Sequence, residues 1–119
     1  MNEALSVEYV EKKSFKQHLK IKVYYDLGGW NHFSGEREKR GYYLSVTPVG
    51  VVKNNKGEVI IEETAPFTGT KILLKEVNRK SKKRSQKALE LAKEKKEELI
   101  QHVISKNPQF QVKKKSTNK

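Results

Sequence analysis

The sequence contains no cysteine, and this absence excludes several kinds of site at once. Disulfide bridges, thiolate nucleophiles and cysteine-ligated zinc all require that residue. No apolar run approaches the roughly 20 residues that a membrane-spanning helix needs. The basic run 79–87 lacks the bulky apolar partners of a helix that lies on a membrane surface, so no membrane contact is expected. The N-terminus shows no basic segment followed by an apolar stretch, which favours a cytoplasmic protein without a secretory signal.

Catalytic signatures are also lacking. The sequence has no P-loop, GxSxG, HExxH or dinucleotide-binding pattern. His18, His32 and His102 lie in three different predicted elements, and no pair has the spacing of metal ligands. The adjacent Glu62 and Glu63 would point to opposite faces of a strand, so they cannot act jointly as acid and base. We therefore expect no enzyme: no catalytic residue, no metal and no cofactor are predicted.

Acidic residues are scarce in the second half of the chain. Residues 1–70 hold 10 lysines and arginines against 9 carboxylates, whereas residues 71–119 hold 16 against 5. Nearly all of the formal net charge of +12 therefore belongs to the C-terminal part. Such asymmetry favours contact with nucleic acid, a membrane surface or an acidic protein. The competing interpretation is a lysine-rich, solvated helix that binds nothing.

Several segments have the pattern of β-strands. Polar and apolar residues alternate over residues 19–26 and, more briefly, over residues 5–9. Residues 42–53 are rich in aromatic and β-branched types, and Pro48, which has no N–H to donate, predicts an edge or a bulge there. An Asn- and Gly-containing turn then leads into a third strand over residues 58–63.

The rest of the chain has a helical pattern. Apolar residues keep one helical face over residues 73–103 without Gly or Pro. Thr70 is the predicted N-cap, and Asn107 followed by Pro108 is the predicted stop. We predict one helix over about residues 70–105, with a break near residues 79–85 as an option. The alternative makes residues 71–77 a fourth strand that leads into a shorter helix.

These elements predict an α+β fold, in which an antiparallel sheet of three or four strands is followed by a long C-terminal helix. A single domain is expected over residues 1–112, and the basic run 113–119 is expected to be a disordered tail. Leu89, Ile100 and Ile104 widen the apolar face of the helix. A homodimer through that face is therefore a further hypothesis.

A basic segment is the first candidate binding site. It would attract phosphates through lysine and arginine side chains that have few acidic neighbours, and it carries no information about base sequence. On one helix these residues form a strip about 16 residues long. Its members are Lys71, Lys75, Arg79, Lys80, Lys82, Lys83, Arg84 and Lys87.

The loop over residues 27–41 is the second candidate site. Aromatic side chains beside cations can stack on unpaired bases, and a loop of this length often carries function. The candidate residues are Trp30, Phe33, Arg37 and Arg40, with Tyr43 on the adjoining strand. The competing interpretation is structural: Trp30 and Phe33 fold back over the end of the sheet as a small satellite core.

Two resemblances bear on this pattern. The runs GGWNHFSGEREKRGYYLSVTPV and FTGTKILLKEVNRKSKK resemble small open reading frames of bacterial mobile elements, a resemblance that implies no particular activity. The arrangement of a curved antiparallel sheet before one long helix is similar to single-stranded-DNA-binding domains of the transcription-coactivator type. Those domains have four strands before the helix, whereas three are clear in this sequence.

The residues thus favour a small non-enzymatic accessory protein that binds single- or double-stranded nucleic acid without sequence specificity. Its basic helix would contact phosphates and its aromatic loop would contact bases. The alternative is a protein-interaction module of a mobile element that makes no contact with nucleic acid and binds an acidic protein instead.

Overall fold

The structure is a computed structural model that describes residues 4–32, 34–63 and 69–112. Within these ranges, seven strands precede one α-helix and a closing 3₁₀ turn. The order confirms the predicted α+β fold with its antiparallel sheet and C-terminal helix. The strands are β1 (Ala4–Glu11), β2 (His18–Asp26), β3 (Gly29–Asn31), β4 (Glu36–Glu38), β5 (Gly41–Lys53), β6 (Val59–Glu63) and β7 (Thr70–Glu76); the helix is α1 (Lys82–Lys106), and the 3₁₀ turn is Pro108–Phe110.

The long strand β5 organises the main sheet. It pairs with β2 on one side, and β2 pairs in turn with the edge strand β1. On its other side β5 pairs first with β7, up to Val46, and then with β6, from Val49 onwards. β5 is therefore central, and the edge or bulge that the sequence predicted at Pro48 corresponds to the interval between the two ladders on this side. Pro48 is tolerated because it lies where the ladder to β7 has ended and the ladder to β6 has not begun.

The segment from Thr70 to Glu76 is a strand, so the preferred prediction of a helix from residue 70 was wrong and the alternative fourth strand is confirmed. Pairing satisfies the backbone N–H and C=O groups on this side of β5, which would otherwise need other partners. A bulge interrupts the register of this ladder between Tyr42 and Tyr43. The bulge breaks strict alternation, and this is why Leu73 and Leu74 both matched a helical stripe in the sequence.

The helix begins twelve residues later than predicted, at Lys82, because Ser81 and not Thr70 is its N-cap. The Ser81 hydroxyl accepts a hydrogen bond from the Arg84 amide at 3.2 Å, which satisfies one of the amides that lack an intrahelical partner. The helix ends at the predicted stop, with Asn107 as its C-cap. Its 25 residues extend over about 37 Å.

The core lies between α1 and one face of the sheet. Ile100 and Ile104 are 1% and 8% exposed, and Leu89 is partly buried against the same core, so the three residues named for a homodimer face pack against the sheet. Burial of each large apolar side chain stabilises the fold by about 1.5–3 kcal/mol. The buried residues of this layer are Leu19, Ile21, Val23, Leu44, Val46, Ala92, Leu99, Ile100, Val103 and Ile104.

The end of the described chain returns to the β1–β2 connection. The Phe110 ring meets the Phe15 ring edge-on, with centroids 5.6 Å apart. The Lys16 amide donates to the Phe110 carbonyl at 2.7 Å, and the Val112 amide donates to the Ser14 carbonyl at 3.0 Å. These contacts fasten the C-terminal end of α1 to the sheet. The tail predicted over residues 113–119 lies outside the described residues.

Candidate nucleic-acid interface

Four cationic side chains line one open groove beside the start of α1. Lys75 comes from the end of β7, and Lys83, Arg84 and Lys87 come from the first two turns of the helix. Lys83 and Lys87 are four residues apart, which places them on one helical face. The groove measures about 580 Å³, and Gln86 and Glu90 complete its lining. Glu90 is the single carboxylate among the six lining residues.

A second cavity adjoins this groove through a shared side chain. Arg84 also lines an opening of about 490 Å³ together with Glu76, Val77, Asn78 and Arg79. The Arg84 guanidinium donates to the Arg79 carbonyl at 3.1 Å, so the side chain folds back over the turn that precedes the helix. The predicted basic segment is therefore a strand end, a turn and a helix start, and not a strip along one helix.

The start of the helix is anchored to the sheet through Tyr42. This ring is fully buried, and its hydroxyl lies 2.9 Å from the Ser85 hydroxyl oxygen. The Tyr42 oxygen also accepts from the Ser81 amide at 3.3 Å. These bonds position the helix N-terminus at the junction of β5 and β7. Sequence reasoning missed both Tyr42 and the Ser81 cap, although a serine just before a helical segment is a recognisable N-cap signal.

The first turn of α1 contains only cations. Lys82, Lys83 and Arg84 follow the N-cap directly, and no acidic residue lies in this turn. The N-terminus of a helix carries a partial positive charge, so each cation placed there costs about 0.3–1 kcal/mol when exposed. An anion bound beside these residues would interact favourably with the helix end and with the side chains alike.

Most cations of this region make no ion pair with a described carboxylate. Among the described residues, ion pairs within 4 Å join Lys12 to Glu97, Lys39 to Glu76, Lys71 to Glu38 and Lys96 to Glu8, all with cations from outside the groove. Within the same ranges, no such pair involves any of six predicted site residues: Lys75, Arg79, Lys82, Lys83, Arg84 and Lys87. Among the described residues, the four cations of the groove therefore make no ion pair, and Glu90 is the one carboxylate beside them.

The predicted aromatic loop is a small hairpin of its own. Strands β3 and β4 pair antiparallel, and Trp30 lies directly opposite Arg37. The Trp30 side chain is 61% exposed, so the satellite core proposed as its structural role is wrong for this residue. Gly28 has a φ of +76°, and a Cβ there would meet the Glu38 carbonyl oxygen at 2.6 Å, so only glycine allows the tight base of the hairpin. Phe33 lies outside the described residues.

Arg40 joins the hairpin to the turn before the helix. Its guanidinium donates to the Leu27 carbonyl at 3.0 Å and to the Asn78 carbonyl at 3.4 Å. The Val77 amide donates to the Arg40 carbonyl at 3.2 Å, which closes the same junction through the backbone. Arg40 therefore has a positioning role, because it holds the base of the hairpin against the turn that precedes the helix.

Tyr43 and Lys71 do not belong to this surface. Tyr43 is only 6% exposed and stacks on Tyr24 at a centroid distance of 5.8 Å, so the stacking role predicted for it is wrong. The Lys71 ammonium lies 5.1 Å from the centre of the Tyr43 ring and 2.6 Å from a Glu38 carboxylate oxygen. Both side chains thus stabilise the sheet face opposite the helix, under the β3–β4 hairpin.

Burial raises the pKa of both phenols in that stack. For Tyr24 the carboxylates of Asp26 and Glu38 raise the pKa further, and for Tyr43 the carboxylate of Glu38 adds most after burial. The Tyr43 hydroxyl donates to the Lys39 carbonyl. These two phenols therefore stay protonated in the folded protein at neutral pH.

Comparisons of the chain with models of protein families, with curated proteins and with solved structures find no match. In the part of the chain that the structure describes, no group of three or more His, Asp or Glu side chains is arranged to hold a metal ion. None of the helices in those ranges combines the length and apolarity needed to cross a membrane. The functional interpretation therefore depends on the chain's own residues.

Proposed function

We propose that this protein binds nucleic acid without sequence specificity, as a non-enzymatic accessory protein. The observation that carries the proposal is the groove that Lys75, Lys83, Arg84 and Lys87 line together, none of them in an ion pair with a described carboxylate. Three cations in the first turn of α1 oppose the field of the helix, so the arrangement costs stability unless an anion compensates it. Backbone phosphates supply that anion and release bound counterions when they are contacted.

The hairpin adds a contact of a different kind. Trp30 presents a large exposed ring beside Arg37, and Arg40 connects the base of that hairpin to the turn before the helix. An exposed indole stacks on unpaired bases whatever their sequence. The groove holds phosphates of single or double strands, and Trp30 favours the single strand because duplex bases are not accessible for stacking.

The test removes the groove cations that do not hold the fold. Lys75, Lys83 and Lys87 make no hydrogen bond or ion pair to a described residue, whereas Arg84 bonds to the Arg79 carbonyl and is left in place. The K75A/K83A/K87A variant should therefore fold normally. If each lysine contributes about 0.5–1 kcal/mol to phosphate binding, affinity for an oligonucleotide should fall by roughly 10- to 100-fold.

A matched control removes three cations elsewhere. Lys13, Lys56 and Lys106 are exposed, have no carboxylate partner among the described residues and lie outside the groove. The K13A/K56A/K106A variant has the same net charge as the groove variant, and its affinity should change by no more than about 3-fold because distant charges are screened. Fluorescence anisotropy measures the affinity of both variants for a single-stranded and a double-stranded probe. Equal losses in the two variants would contradict a groove-specific site.

A further inference from the structure

Strand β1 forms one edge of the sheet, and its outer side is open. It pairs with β2 along Ala4–Glu11, and no strand in the described ranges pairs with its other side. The only irregularity of register lies between Ala4 and Ser6, so the ladder is regular from Ser6 to Glu11. An open edge of this length presents a row of backbone donors and acceptors that can pair with another strand.

The composition of β1 does not protect this edge. The strand reads ALSVEYVE and contains no lysine, arginine, proline or glycine. The opposite edge is shared by β6 and β7; β7 carries Lys71 and Lys75, and a bulge interrupts its ladder. Lysines and bulges are common devices that prevent edge-to-edge pairing. Between Ser6 and Glu11, β1 has neither device, and its only charges are the carboxylates of Glu8 and Glu11.

Two apolar side chains project from β1 on the sheet face that the helix does not cover. Val7 and Tyr9 pair with Lys22 and Lys20 of β2, and they are 46% and 43% exposed. In an antiparallel pair, directly opposite residues share a face, and apolar or aromatic pairs there stabilise the ladder. A strand that places an apolar residue opposite each of them would cover both.

We propose that β1 pairs antiparallel with β1 of a second copy of this chain, which joins two sheets into one. In the proposed register, Glu8 lies on the two-fold axis, so Val7 of each copy is opposite Tyr9 of the other. This register uses only the regular part of the strand, from Ser6 to Val10. It leaves the helix of both copies on the same face of the joined sheet.

The carboxylate on the axis is compensated within each copy. Glu8 accepts a hydrogen bond from Lys96 at 3.1 Å, and Lys93 lines the same opening between β1 and α1. The two Glu8 carboxylates repel each other across the axis, which the Val7–Tyr9 pairs must outweigh, but each carboxylate keeps the Lys96 of its own chain as a partner. The basic groove lies beside β7, at the other edge of the sheet, so the dimer does not depend on the proposed nucleic-acid binding.

Mass measurement tests the dimer directly. Light scattering of the full chain after size exclusion, without nucleic acid, should give twice the chain mass of 13.8 kDa at high protein concentration. The V7K/Y9K variant should return to the mass of one chain. The matched variant V59K/I60K, which also replaces two exposed apolar residues, should remain dimeric. A wild-type chain that stays monomeric at every concentration, or equal loss in both variants, overturns the proposal.

Cross-linking tests the register without depending on how V7K/Y9K folds. The chain has no cysteine, so each introduced thiol is unique. E8C alone should form a disulfide-linked dimer under mild oxidation, because residues opposite each other in a ladder have Cα atoms about 4.5–5.5 Å apart. A mixture of V7C and Y9C should link, while neither variant links alone. Efficient linkage of Y9C alone, or none with E8C, overturns the proposed register.

Discussion

Replacement of Arg84 by glutamate should make the protein more stable while it weakens nucleic-acid binding. Arg84 is the third residue after the Ser81 cap, at the position where glutamate would complete a capping box. Exchange of a cation for an anion at a helix N-terminus is worth roughly 0.6–2 kcal/mol. Loss of the exposed bond to the Arg79 carbonyl offsets about 0.5 kcal/mol. The net gain is about 1 kcal/mol, or a rise in Tm of roughly 3–6 °C.

The opposite end of the helix supplies the control. Lys106 lies in the last turn, where a cation is favourable, so K106E makes the same change in net charge but should destabilise the protein. Urea unfolding followed by the helical circular-dichroism signal measures both free energies, and added salt should shrink both differences. The reasoning fails if R84E is less stable than the wild type. It also fails if the free energy of unfolding of both variants changes in the same direction by the same amount, because the helix dipole would then not destabilise the cations at the helix start.

Three further predictions concern the hairpin, the tyrosine stack and the sheet. W30A should leave the free energy of unfolding within about 0.5 kcal/mol of the wild-type value. It should weaken binding of a single-stranded probe by roughly 5- to 150-fold and leave the affinity for a duplex unchanged. Anisotropy with matched probes measures both affinities, and an equal loss for the two probes contradicts the prediction. The pKa values of Tyr24 and Tyr43 are raised from 10.0, so the unfolded state ionises first and stability present below pH 10 is lost as pH rises above it; urea unfolding from about pH 9 to about pH 11 should show a smaller loss for Y24F/Y43F than for the wild type. G41A should lower the free energy of unfolding by about 1–3 kcal/mol, because a Cβ at this position would meet the Lys75 carbonyl oxygen. S45A on the same strand should change it by no more than about 0.5 kcal/mol, and the midpoints of urea unfolding compare the two variants.

Local patterns identified the strands whose side chains alternate between core and solvent. In His18–Asp26 the alternation of apolar and polar residues predicts that Leu19, Ile21 and Val23 face the core, and all three are buried. The turn after Lys53 was predictable because Asn and Gly are typical turn residues. The Asn54 side chain accepts a hydrogen bond from the Lys56 amide, and Gly57 has a φ of +81°. These features depend on neighbours in sequence.

Features that depend on residues distant in the sequence could not be predicted from local patterns. The apolar residues of Thr70–Glu76 keep the helical phase, which favoured a helix, but pairing with β5 makes the segment a strand. Alternation along β2 places Tyr24 on the same face as Lys20 and Lys22, but Tyr24 is buried there because Tyr43 stacks on it. The basic residues themselves were identified from the sequence. The sequence did not show that Lys71 pairs with Glu38, whereas the groove lysines make no ion pair with a described residue.

The dependence of binding on salt tests the groove most directly. For a duplex probe, the slope of log affinity against log salt concentration falls by about 0.9 for each phosphate contact that is lost. The K75A/K83A/K87A variant should therefore lower the slope by roughly 2–3, while K13A/K56A/K106A should leave it near the wild-type value. A groove variant with the wild-type slope would show that these lysines do not contact phosphates.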